Sequence, residues 1–150
     1  EHLQDEWTAW SELHRVLKPG GTIGITVPSW LPERANWALS DDYHWPAQAG
    51  GHVRIYSSDE LKTRMRTYGL DPYADHRAHG LHSPYWWLKC AVGVKNADHP
   101  AVKAYHRLLV WDLMKRPVAT RAAEAVLAPV LGKSYIVYGR KAVDGRKATA

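Results

Sequence analysis

Phenylalanine is absent from this chain and cysteine occurs once, at Cys90. A lone cysteine excludes an internal disulfide framework and a multi-cysteine zinc site. Its setting, Leu88-Lys89-Cys90-Ala91-Val92, reads as a small buried hydrophobe, and a reducing, cytoplasmic location fits. No apolar run approaches the ~20 residues that span a bilayer, and no basic-then-apolar leader opens the sequence. No membrane is therefore expected as a partner. Internal repeats and low-complexity segments are also missing. The first residue is Glu1 and not Met, so the sequence reads as part of a longer chain.

What is present is ordinary for a globular protein: 150 residues, 45% hydrophobic and 23% charged, enough for one domain with a real core. The formal net charge is +5. The basic residues are scattered and densest in the tail Gly139-Arg140-Lys141 to Arg146-Lys147, which reads as a solvated end. Eight tryptophans are the compositional outlier, and they suit either core packing or an aromatic pocket.

The chain is organised around residues 13–28. Leu3, Trp7, Trp10, Leu13 and Leu17 recur at helical spacing. Lys18 sits where helix carbonyls carry partial negative charge. Pro19 stops the helix, and Gly20-Gly21 permits a corner. Thr22-Ile23-Gly24-Ile25-Thr26-Val27 is a β-branched run of strand length, closed by Pro28. Helix, turn and apolar strand predict an α/β fold with this strand in a mostly parallel sheet.

Asp5 is the expected N-cap of the first helix. Residues 28–56, with Pro28, Pro32 and Pro46, have no clean periodicity. They read as a long binding loop holding a short helix near Glu33 to Leu39. Ser57-Ser58-Asp59-Glu60 is a capping box, and Leu61, Met65 and Tyr68 mark one face of the helix behind it. Asp71 to Gly80 reads as a weak strand that Pro72 confines to an edge. Two helices are expected over about Pro100–Lys115 and Val118–Leu127, the second ended by Pro129 and Gly132. Ser134 to Gly139 is the last strand.

The string Glu12-Leu13-x-Arg15-Val16-Leu17-Lys18-Pro19-Gly20-Gly21 resembles a motif of class I S-adenosylmethionine-dependent methyltransferases, where it joins the helix after the fourth strand to the fifth strand. Glu1-His2-Leu3 with Asp5 resembles the end of the fourth-strand loop. His52-x-Arg54-x-Tyr56-Ser57-x-x-Glu60-Leu61, ending in Tyr68-Gly69-Leu70, resembles the approach to the next helix. The likeness covers nearly all 150 residues but only the second half of that fold. It implies a partial Rossmann-like methyltransferase domain over residues 1–150. Its three-stranded mixed sheet has the order 22–27, 134–139, 73–79, the last strand lying in the middle and antiparallel to both others, and a helical cap is inserted at about 81–132. No Gly-x-Gly-x-Gly loop and no ribose-binding acid after a next strand occurs in the sequence. The S-adenosylmethionine site is thus expected to be incomplete, and the isolated piece inactive.

The resemblance implies methyl transfer to a small-molecule acceptor. Glu1 and His2 would lie nearest the cofactor. His52, His79 and His82 are candidate bases, His52 favoured by its His-x-Arg setting. Trp30, His44, Trp45, Arg54, Tyr85 and Trp86 are candidate acceptor contacts. A structural or solvated role competes for each of them. His76, His79 and His82 fall at i, i+3, i+6, but Gly80 and the strand-like context speak against zinc, so no metal is expected. The competing class is a non-enzymatic, basic, tryptophan-rich module that binds nucleic acid or protein. No recognised nucleic-acid motif accompanies the charge, so nucleic acid is the lesser expectation.

Overall fold

Three strands and six α-helices make up the described part of the computed structural model, residues 1–44 and 51–143. In chain order they are α1 (Glu6–Val16), β1 (Thr22–Pro28), α2 (Trp30–Leu39), a 3-10 turn (Asp41–Tyr43), α3 (Ser58–Thr67), β2 (Leu70–Ala78), α4 (His82–Val92), α5 (Pro100–Lys115), α6 (Val118–Leu131) and β3 (Ser134–Lys141). None of these helices is long and apolar enough to cross a membrane.

The strands form one open sheet in the order β1-β3-β2, with both pairings antiparallel. The spatial order, with the last strand central and antiparallel to both others, is the expected one; the mixed, mostly parallel character is not. β1 and β2 do run in the same direction, but β3 lies between them and no two parallel strands touch. An antiparallel sheet can leave one face to water. Ile23, Ile25 and Val27 pair with Gly139, Val137 and Tyr135 on the covered face. There Trp10 of α1, Tyr56, Leu61 and Met65 of α3, and Leu70 complete the core. Thr22, Gly24 and Thr26 alternate onto the other face and are exposed.

The local signals explain the element ends. Asp5 accepts the Thr8 N–H at the start of α1, and Ser57 and Glu60 form the capping box of α3. Gly20 takes φ +74° at the corner after α1. Lys18 falls beyond the helix end. It is Lys141 of β3 whose Nζ donates to the carbonyls of His14 (2.7 Å) and Leu17 (2.9 Å). β2 starts at Leu70, earlier than expected, and its ladder is broken between Pro72 and Ala74, as a proline on an edge strand requires. α6 runs on through Pro129, whose carbonyl accepts from Arg77 (3.2 Å). α4 has no counterpart in the sequence reading.

Because β1 and β2 are both antiparallel to β3, Pro28 and Ala78 both register opposite Ser134. The segments that follow them therefore leave the same end of the sheet. α2 and α4 pack together there, and Trp87 Nε1 donates to the Pro32 carbonyl (3.2 Å).

At Gly80 the chain passes close to α6. A Cβ there would stand 2.7 Å from the Ala128 nitrogen and 2.9 Å from the Leu127 carbonyl carbon, backbone atoms that cannot rotate aside. Gly80→Ala is expected to destabilise the protein by about 1–3 kcal/mol, read as a lower urea midpoint with an unchanged m-value. An unaffected midpoint would show that α6 is not anchored against the end of β2.

Candidate functional site

At the end of the sheet where β1 and β2 both stop, a carboxylate is buried without access to solvent. Glu33 in α2 is 0% exposed. A lone charge in such a place is prohibitively costly, and the chain surrounds it with partners. His52 donates from Nδ1 to Glu33 Oε1. Lys133, just before β3, donates from Nζ to Glu33 Oε2 (2.7 Å) and to the Tyr43 hydroxyl oxygen (3.0 Å). Tyr43 and Asn36 add longer bonds to Oε2, each 3.4 Å. Behind them the Cys90 thiol faces Asn36 Oδ1 at 3.8 Å, and burial pushes its pKa up to about 11. That is the inert, buried cysteine expected from sequence.

These groups set one another's charge. Burial alone would push the Glu33 carboxyl up; the hydrogen bond from His52 and the charge and hydrogen bond of Lys133 outweigh it and hold the group at about 2. Burial, reinforced by the Glu33 charge, pushes the Tyr43 hydroxyl up and keeps it a neutral phenol. The Lys133 ammonium also lies near the Tyr43 and Trp86 rings, 5.5 and 5.7 Å from their centroids.

His52 and Lys133 open onto a cavity of about 360 Å³ that Glu1, His2, Tyr43, Trp86 and Ser134 also line. With the Nδ1 proton of His52 committed to Glu33, Nε2 is the nitrogen available for chemistry. The His2 and His52 rings meet edge-on at 4.6 Å. Glu1, His2 and His52 offer ligand atoms within 4.8 Å of one another, the one grouping among the described residues that could hold a metal ion.

A larger cleft of about 1120 Å³ lies between α4, α5 and α6 and shares Trp86, Lys133 and Ser134 with the first. His79 and His82 line it, their rings 5.2 Å apart. His79 Nδ1 is 3.0 Å from Ser134 Oγ, and its backbone takes φ +66°, a strained conformation for a non-glycine residue. Burial, then the neighbouring His79, lowers the His82 pKa.

Of the residues singled out from sequence, the fold gathers Glu1, His2, His52 and Trp86 at the small cavity, and His79, His82, Tyr85 and Trp86 at the large cleft. Trp30 is exposed at the start of α2 under the Arg34 guanidinium. His44 stacks on Trp37 (4.7 Å). Arg54 pairs with buried Glu6 (3.3 Å) and the Gln4 carbonyl (3.0 Å). None of these three lines either cavity. Trp45 lies outside the described residues. His76 stacks on Tyr138 and joins no metal grouping. Sequence reasoning passed over Glu33, Lys133, Tyr43 and Asn36. The available signal was a lone acid in the otherwise uncharged run Trp30-Leu31-Pro32-Glu33, and it names no partner.

Comparison of the chain with known protein families and with curated proteins finds no match.

The Glu33 carboxylate stabilises the fold as long as it stays ionised. Its pKa is depressed, so that contribution is whole above the ordinary carboxylate value of 4.5 and is lost as pH falls from there toward about 2. Glu33→Gln is expected to flatten this part of a stability-versus-pH curve measured by urea melts between pH 6 and 2.5. Lys133→Ala leaves the buried carboxylate short of a partner and is expected to cost about 3–5 kcal/mol at pH 7. A Lys133→Ala protein as stable as the parent would mean that Glu33 reaches water.

Proposed function

We propose that this chain carries the acceptor side of an S-adenosylmethionine-dependent methyltransferase, with His52 as the base that deprotonates a small-molecule acceptor. The observation that carries the reading is the Glu33–His52 pair, a buried carboxylate orienting an imidazole whose other nitrogen is left for a cavity at the carboxyl ends of two strands. Ligands of open α/β folds bind at such ends. The motif resemblance of residues 12–21 and 52–61 and the central antiparallel position of the last strand favour the Rossmann-like methyltransferase architecture. The nucleic-acid or protein module keeps only the diffuse charge in its favour.

When bound, S-adenosylmethionine supplies an electrophilic methyl group on a sulfonium. Of its site, the residues here fit one wall only: Glu1 and His2 at the small cavity. The glycine-rich loop that would grip the nucleoside is not among these 150 residues. What the chain's own residues do is bind, orient and deprotonate. Trp86, Lys133 and Ser134, common to both cavities, hold the acceptor across their junction. His52 Nε2 takes the acceptor's O–H or N–H proton and so leaves the acceptor a lone pair for the methyl group that a bound donor would supply. Glu33 fixes the tautomer and ring orientation and stabilises the imidazolium that results. Tyr43 stays protonated and keeps Lys133 in place. Positioning of this kind supplies most of the catalysis in an in-line displacement.

The test is incorporation of label from methyl-tritiated S-adenosylmethionine into a small-molecule extract by the full-length gene product. His52→Ala is expected to lower the rate roughly 10²–10⁴-fold. Glu33→Gln should shift the pH–rate profile as well as the rate, because it removes the carboxylate that pairs with the imidazolium. Transfer at parental rates by His52→Ala would remove the base assignment. Absence of any label transfer by the full-length protein would remove the methyl-transfer reading itself.

A further inference from the structure

The turn that joins α5 to α6 exposes a run of large apolar side chains. Leu113 is 76% exposed, Met114 72% and Val118 85%, and Val110 and Trp111 extend the patch back along α5. Arg116 holds the turn in a left-handed conformation, φ +48°, and Pro117 follows it. Lys115, Arg116 and Arg121 stand exposed among these apolar side chains. From Pro100 to Leu131 there are five basic residues and two acids. Neither acid offsets the charge at the tip. Asp112 is half-buried, and Glu124 turns inward to accept the Gly80 and Leu81 N–H groups at 2.8 and 3.0 Å. The tip is thus apolar, basic and free of exposed acid, with an indole at its border.

We propose that this turn docks on an anionic lipid bilayer. Leu113, Met114 and Val118 enter the headgroup boundary, Trp111 sits at the interface, and Lys115, Arg116 and Arg121 meet the lipid phosphates. Apolar insertion and electrostatic attraction together give interfacial binding without a membrane span. Two features select a lipid surface over a second copy of the chain. One is charge complementarity, since a like-charged basic tip repels itself. The other is continuity with the cleft: Val110, Leu113, Arg116 and Arg121 belong both to the tip and to the lining of the large cleft. A ligand leaving the bilayer at this point reaches His79, His82 and Trp86 along α5 and α6. On the methyl-transfer reading, the acceptor is then a lipid-soluble molecule with a polar end, its apolar part in the large cleft and its reacting group at the smaller cavity. The docking itself does not depend on that reading.

Binding is measured with no cofactor and no acceptor, so it fails or stands apart from methyl transfer. Gel-filtered protein is floated with vesicles of 30% phosphatidylglycerol in phosphatidylcholine, and with phosphatidylcholine alone. Binding is expected to the first, at least tenfold weaker to the second, and weakened again by 0.5 M salt. Lys115→Glu/Arg121→Glu and Met114→Glu/Val118→Glu should each reduce it tenfold or more. Their thermal melts should match the parent, since all four positions are exposed. Bromine-labelled lipid should quench tryptophan emission, and Trp111→Phe should remove most of that quenching. No binding to anionic vesicles overturns the proposal. So does binding that both charge-reversed and apolar-to-Glu variants retain. A dimer in sedimentation velocity that Met114→Glu/Val118→Glu dissociates, without vesicle binding, overturns it in favour of self-association.

Discussion

The ionised carboxylate of Glu33 is the interaction on which the site end of this molecule depends. It has no solvent, so its charge must be neutralised by protein groups. Those groups come from three separated segments: Tyr43 from the turn after α2, His52 from the approach to α3, and Lys133 from the residue before β3. The carboxylate therefore fixes where each of these segments runs. An apolar side chain in its place would fill the volume but would not orient an imidazole or an ammonium. The cost of burying the charge is offset by four partners. What remains is a cavity wall whose polar atoms are already placed.

Topology makes this convergence possible. A central β3 antiparallel to both neighbours brings the carboxyl ends of β1 and β2 to the same edge, at Ser134. The loop after β1 supplies Glu33 and Tyr43, and the insertion after β2 supplies Trp86. β3 returns between them, so the residue that precedes it stands at the border of both. Lys133 occupies that position and lines both cavities. A parallel central strand would begin at the opposite end and leave the carboxylate without its lysine.

The parts of the fold legible in the sequence are those whose causes are local. Asp5, the Ser57–Glu60 box, Pro19-Gly20 and the strand 22–27 act over a few residues, and each element they mark is present within a residue or two. α4 was not legible because its start is not local. Leu81 at its N-cap offers no side-chain acceptor, and the orphan N–H groups of Gly80 and Leu81 are taken by Glu124, more than forty residues on. The sheet was half legible: the order and the antiparallel central strand followed from the family likeness, while the mostly parallel sheet expected from helix, turn and strand failed, because direction depends on which strands are adjacent. At the site the histidines could be seen as candidates, and four of them, His2, His52, His79 and His82, reach cavities. The carboxylate and lysine that give His52 its chemistry could not, because Glu33 and Lys133 lie a hundred residues apart and neither has a distinctive setting. Trp30, His44 and Arg54 belong to the types that build pockets, yet stacking and ion pairing elsewhere hold them.

The strain at His79 connects these observations. A β-strand running into a helix with no capping side chain has to turn within two residues, and His79 turns by entering the left-handed region. That conformation aims its carbonyl at two donors, the His82 N–H at 3.1 Å and the Lys133 N–H at 3.2 Å. The backbone of Lys133 is thus held by the strained residue of the large cleft while its side chain is held by the carboxylate of the small one. Relaxing His79 would free the Lys133 backbone and with it the ammonium beside Glu33. The two cavities are coupled through one residue. An acceptor lying across their junction therefore meets groups whose positions are set together, by a buried charge on one side and a strained turn on the other.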